Sequence, residues 1–167
     1  MSIRLLAAGS LLVLVACDDV TVESLPATAD TLCFNDYKTC VDPVFHAVIN
    51  GERGATTCSA SGCHDVNAGS GGGFKVFPDP TNDAEFISNF NAAQAFANLA
   101  SPSDSKLLLE PLNGISAISG THTGGNIFPD TGDACYQAII NWIANQVDDT
   151  MQGCGVCTEP NITQCGF

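Results

Sequence analysis

The chain has 167 residues, 18 of them acidic against 5 basic, for a formal net charge of −13. With so few cations it carries no basic stripe for a phosphate backbone, so nucleic acid is not an expected partner; a basic protein surface is. The length is enough for one core that buries about two thirds of the unfolded surface, and no internal repeat divides it.

Met1 to Arg4 form a short positive region, Leu5 to Val15 an apolar stretch too short to span a bilayer as a mature helix, and Leu14-Val15-Ala16-Cys17 a cleavage box. The pattern resembles a bacterial lipoprotein signal. That resemblance implies removal of residues 1–16, acylation of Cys17, and a home in the bacterial cell envelope on the periplasmic side. An ordinary secretory signal is the alternative. Loss of residues 1–16 removes one arginine and no acid, leaving 4 basic against 18 acidic residues, a net of −14. No second apolar stretch approaches the length of a span, so lipid on Cys17 is the expected membrane attachment. Asp18 resembles the inner-membrane retention signal of enteric bacteria, but inner and outer membrane both stay open. Residues 17–32, acidic and Thr-rich, read as the lipidated cysteine and a flexible tether, followed by one domain over 33–167 with a cysteine-rich tail.

Within that domain Pro43 to Asn50 reads as a short helix, with Asp42 as cap, Pro43 in its first turn and Gly51 beyond its end. Loop follows through Gly69 to Gly73, then an extended piece, Phe74-Lys75-Val76-Phe77, ended by prolines. A second helix is predicted over Asp83 to Leu99, with Asn82 and Glu85 at capping-box spacing and Phe86, Phe90, Ala93, Phe96 and Ala97 as its apolar stripe. The clearest helix runs from about Thr131 to Val147, with Cys135, Ile139, Trp142 and Ile143 on one face. The expected class is mostly α, a small helical domain with long loops.

Loops of that length need bracing, and nine cysteines offer two kinds. In Cys58-Ser59-Ala60-Ser61-Gly62-Cys63-His64, two thiols are followed at once by a histidine. This is how a chain holds a c-type haem: the sulfurs form thioethers with its vinyl groups and the imidazole ligates iron. Four residues separate these cysteines where two are usual. With Cys17 assigned to lipid and Cys58 and Cys63 to haem, six remain for three disulfides in an exported protein: Cys33, Cys40, Cys135, Cys154, Cys157 and Cys165. Fifteen pairings are open. Cys154 and Cys157 have the spacing of a redox dithiol without the strand-to-helix setting that activates one, so they read as structural. An ordinary disulfide between Cys58 and Cys63, with His64 a bystander, fits the parity equally, and a zinc site is a further alternative.

The ordered set Pro43-Val44-Phe45, Cys58 to His64, Pro102-Ser103-Asp104-Ser105-Lys106-Leu107-Leu108 and Trp142-Ile143 resembles the single-haem cytochrome-c-like domains of bacterial envelope proteins, over about residues 42–147. The resemblance implies a cytochrome-c-like helical fold braced by one covalent haem c and disulfides. Relatives often carry Met-Pro-Pro about twenty residues before Trp-Ile, with the methionine on iron. Here that place holds Thr121-His122-Thr123-Gly124-Gly125, which makes His122 the expected second axial ligand. His46, Met151 and an open iron position are the alternatives. His46 reads as a mid-helix histidine satisfied by a backbone carbonyl.

The expected function is an electron carrier, not an enzyme, passing electrons between redox proteins of the envelope. An exposed haem edge would transfer the electron and the acidic surface would steer a basic docking surface. The competing class is a haem-free, disulfide-stabilised structural or interaction lipoprotein; an enzyme would need an open iron position. Other motifs carry less. The run Gly69 to Lys75 lacks the Gly-Lys-Ser/Thr of a phosphate loop, no nucleophile-elbow sequence supports a Ser-His-Asp hydrolase, and Asn161-Ile162-Thr163 is a glycosylation pattern that a bacterial lipoprotein would seldom use.

Overall fold

A computed structural model describes residues 31–115, 122–151, 154–155 and 157–167. The expected leader, Cys17 and Thr121 lie outside them. Helical structure begins nine residues before Pro43. Cys33 caps α1 (Phe34–Asp36), its sulfur accepting from the Asp36 amide at 3.2 Å. A π turn over Tyr37–Val41 then leads into α2 (Asp42–His46). Pro43 has no N–H to continue an α ladder and its ring would crowd a carbonyl one turn back. The wider π turn, closed by the Asp42 amide on the Tyr37 carbonyl, lets the chain pass that point.

The run stops at His46, four residues short of the expected end, because Ala47 is extended and Ile49–Gly51 becomes strand β1. Strand β1 pairs antiparallel with β2 (Gly54–Thr56), Ile49 opposite Thr56. The tether is also shorter than expected: Leu32 is fully buried, and Thr31 accepts the Val147 amide at 2.9 Å.

Helix α3 (Asp83–Ala95) starts where local chemistry predicts. Asn82 accepts the Glu85 amide at 3.2 Å, while Glu85 reaches back to the Thr81 amide at 2.6 Å. Phe90 and Ala93 are buried, with Phe86, Phe96 and Ala97 packed partly buried against the same core. After a 3-10 turn at Pro102–Asp104 comes α4 (Lys106–Leu109), and α5 (Ala134–Ala144) closes the core. The Asp133 carboxylate caps α5 by accepting from the Cys135 and Tyr136 amides, and Cys135, Ile139, Trp142 and Ile143 are all buried.

Tyr37 sits at the centre of the core, its ring centroid 5.5 Å from Phe90 and 5.4 Å from Trp142. Trp142 donates its indole N–H to the Cys33 carbonyl at 2.9 Å, which ties α5 to the start of the chain. Three disulfides complete the frame: Cys33–Cys154, Cys40–Cys157 and Cys135–Cys165. The first two pin the tail to the first helical run and the third pins it to α5. The structure is 37% helical, so long stretches depend on these links and on side-chain packing. No helix among the described residues is long and apolar enough to cross a membrane.

Candidate haem-attachment site

With six sulfurs paired, Cys58 and Cys63 are the two free thiols among the described residues, each partly buried. Residues 58–64 form consecutive turns: the Cys63 amide donates to the Ala60 carbonyl at 2.8 Å and the His64 amide to the Cys58 carbonyl at 3.0 Å. The His64 amide bond brings the two ends of the motif together in spite of the four intervening residues. Burial pushes the Cys58 thiol up to about 12, with nearby Cys63 adding to the shift, so Cys58 remains a neutral thiol at physiological pH.

His64 is oriented by its other neighbours. Its Nδ1 lies 2.9 Å from the Phe74 carbonyl; a carbonyl only accepts, so Nδ1 carries the proton and the Nε2 lone pair is left for a ligand. Val76 fixes the same segment by donating its amide to the His64 carbonyl at 2.8 Å. Burial pulls the His64 imidazole below its ordinary range. The Phe74 and Gly71 backbone bonds oppose this, and His122 and Lys75 add to it. Neutral imidazole is the form that binds metal. The glycine run has a packing reason here, since a Cβ on Gly71 would stand 2.5 Å from His64 Nδ1.

His122 is held in the same way. Its Nδ1 donates to the Gly125 carbonyl at 2.8 Å, again leaving Nε2. Gly125 has φ +84°, and a Cβ there would meet Arg53 Cγ at 2.8 Å. Arg53 donates to the Thr123 carbonyl at 2.8 Å and the Glu52 amide to the Asn126 carbonyl at 2.8 Å, so the β1–β2 turn clasps the His122 loop.

The two imidazoles face one cavity of about 360 Å³ whose wall includes Cys63, Phe74, Phe96 and Leu107, with Lys106 at its rim. Their centroids are 5.9 Å apart and their planes 12° from parallel. That separation falls within the range of offset-stacked rings, and it is also about what two imidazoles sharing one ion through ring nitrogens would show. The lining fits a haem in part: Cys63, two imidazoles with free Nε2 and an apolar wall surround the cavity, while the Cys58 thiol packs against the core and is not among the lining residues. The two sulfurs and two imidazoles do not fit a small ion bound by all four. The one grouping of three or more ligand atoms within 4.8 Å among the described residues is Asp133, Cys135 and Cys165, where the sulfurs are bonded to each other and the carboxylate caps α5.

Other predicted residues lie elsewhere. Met151 is exposed, and His46 ends α2. Both His46 nitrogens are taken by side chains, the Asp42 carboxylate at 3.1 Å and the Ser59 hydroxyl at 3.0 Å, and not by a backbone carbonyl. Sequence reasoning missed this Asp42–His46–Ser59 chain and the buried Asn89 beside it; the i,i+4 spacing of Asp42 and His46 was the available signal. Comparison with protein-family models, curated proteins and solved structures finds no match to this chain.

Proposed function

We propose that this protein is an envelope c-type cytochrome with a small cytochrome-c-like domain, carrying electrons between redox proteins. Cys58 and Cys63 would hold one haem c by thioethers, and the His64 and His122 imidazoles would ligate its iron. The carrying observation is the pair of near-parallel imidazoles lining one cavity, each with Nδ1 held by a backbone carbonyl, with the two free cysteines in the turns that lead to His64. When bound, the haem supplies a reversible one-electron couple at iron.

The chain's own residues do the rest. The Phe74 and Gly125 carbonyls fix the tautomer and heading of each imidazole, so no ring must reorient as charge changes. Phe74, Phe96 and Leu107 keep water from the cavity wall. His122 would offer iron a nitrogen where a thioether is more usual, which would favour the ferric state. The acidic surface steers a basic partner, more weakly at high salt. Lipid on Cys17 would hold the domain at the periplasmic side of a membrane.

The haem-free interaction lipoprotein has one observation in its favour: the core is already braced by three disulfides. The deciding experiment is a reduced-minus-oxidised visible spectrum of protein made with cytochrome c maturation machinery, followed by acid-acetone extraction. The proposal expects red protein that keeps its haem on extraction. Colourless protein with Cys58 bridged to Cys63 would establish the alternative.

A further inference from the structure

A spacing of four residues gives Cys58 more freedom relative to His64 than two would, and the bond from the His64 amide holds only the Cys58 carbonyl, not the side of the insert that follows it. Ser59, the first inserted residue, is 5% exposed. Its amide donates to the Phe45 carbonyl at 3.0 Å and its Oγ lies 3.0 Å from His46 Nδ1. His46 Nε2 lies 3.1 Å from Asp42 Oδ2. A carboxylate only accepts, so Nε2 carries the proton and, in the neutral ring, Nδ1 accepts from the Ser59 hydroxyl.

Asp42, 3% exposed, takes two further bonds on Oδ1: Tyr37 Oη donates at 2.8 Å and Asn89 Nδ2 at 3.2 Å. Fully buried Asn89 then grips Phe77 by both backbone groups, accepting its amide at 2.7 Å and donating to its carbonyl at 3.1 Å. Phe77 follows Val76, which holds the His64 carbonyl. The network thus starts beside Cys58, crosses α2 and α3, and returns to the segment that fixes His64. Asp42, His46 and Ser59 are the residue types of a hydrolytic triad, but Ser59 is enclosed, with its hydroxyl directed at His46, so it is not a nucleophile open to substrate.

We propose that Ser59, His46 and Asp42 are positioning residues for haem attachment at the widened motif. They hold Cys58 at a fixed height relative to His64 so that its thiol reaches its vinyl group. This rests on the haem reading. In the step concerned the S–H and the vinyl π bond break, a C–S bond forms, and the proton goes to the other vinyl carbon, with no oxidant or reductant. Cys63 is held separately by its bond to Ala60, so loss of the bracket should affect one thioether and spare the other.

The test is Ser59→Ala in the full chain, matured as above, with thioethers counted by mass spectrometry of the haem peptide. Haem bonded through Cys63 alone should rise about fivefold, the equilibrium weight of one net hydrogen bond. In the haem-free protein, alkylation of Cys58 but not Cys63 should quicken by a similar factor. Ser59→Thr, which keeps the hydroxyl, should restore both. Ser105→Ala serves as control, since it removes a buried serine hydroxyl that bonds the Asn98 amide and the Pro102 carbonyl outside this network and should leave the thioether count unchanged. Wild-type protein with two thioethers and an unaltered Ser59→Ala count would overturn the positioning role alone, as would an equal loss in Ser105→Ala. Wild-type protein without covalent haem would overturn the haem reading and this inference with it.

Discussion

The rings of His64 and His122 stand 5.9 Å apart and 12° from parallel, brought together from positions 58 residues apart in the chain. Neither owes its heading to the other. One is set by the Phe74 carbonyl and the other by Gly125, so each keeps Nε2 free independently.

With both imidazoles on iron, the reduced protein should be six-coordinate, low-spin and slow to bind carbon monoxide. His122→Ala should bind it readily. His122→Met should raise the midpoint potential by on the order of 0.1 V, within the roughly 0.8 V that axial ligation spans. Unmutated protein that binds carbon monoxide at once has an open position, and small-molecule chemistry at haem becomes the better reading.

Cys58 makes a pH prediction for the haem-free protein. Its thiol is raised from 9.0 to about 12, so between those values the folded state keeps a proton that the unfolded chain has lost. The stabilisation is complete below pH 9 and declines as pH rises towards 12. Alkylation at Cys58 should accordingly keep accelerating through that window. A plateau near pH 9 would mean the thiol is solvated like a free cysteine.

The disulfides should not be equivalent. Replacing Cys135 and Cys165 together by alanine opens a link across 30 residues and should cost about 3–4 kcal/mol, read by chemical denaturation. Cys33–Cys154 and Cys40–Cys157 span 121 and 117 residues and close nearly the same loop. Removing either alone should cost well under the about 5 kcal/mol that its length implies, and removing both should cost more than the sum. Strict additivity would count against this arrangement.

Cys17→Ala should abolish acylation and release the protein from membranes into the soluble envelope fraction. Membrane retention of that variant after a salt wash would remove the main support for the lipid anchor.

Helix α3 was legible because its signal is local: Asn82 and Glu85 act within three residues of each other. The buried face of α5 was legible because the period of 3.6 brings Cys135, Ile139, Trp142 and Ile143 together in any amphipathic helix. The start at Phe34 was hidden, since a cysteine sulfur is a poor cap by composition and Pro43 looked like a beginning. The π turn that lets the chain continue through it has no short-range signature.

The acidity, the export-like leader, the count of six cysteines beyond Cys17, Cys58 and Cys63, and the contiguous Cys63-His64 pair could all be read along the chain, because they depend on identity or on immediate neighbours. Which sulfur meets which, where His122 comes to lie, and the bonding of Asp42 to His46, Ser59 and Asn89 were decided by the tertiary structure alone. Each joins segments whose separation along the chain says nothing of their distance in space. Only packing of the first helical run against α3 and α5, with the tail pinned to that run and to α5 by disulfides, makes those groups neighbours.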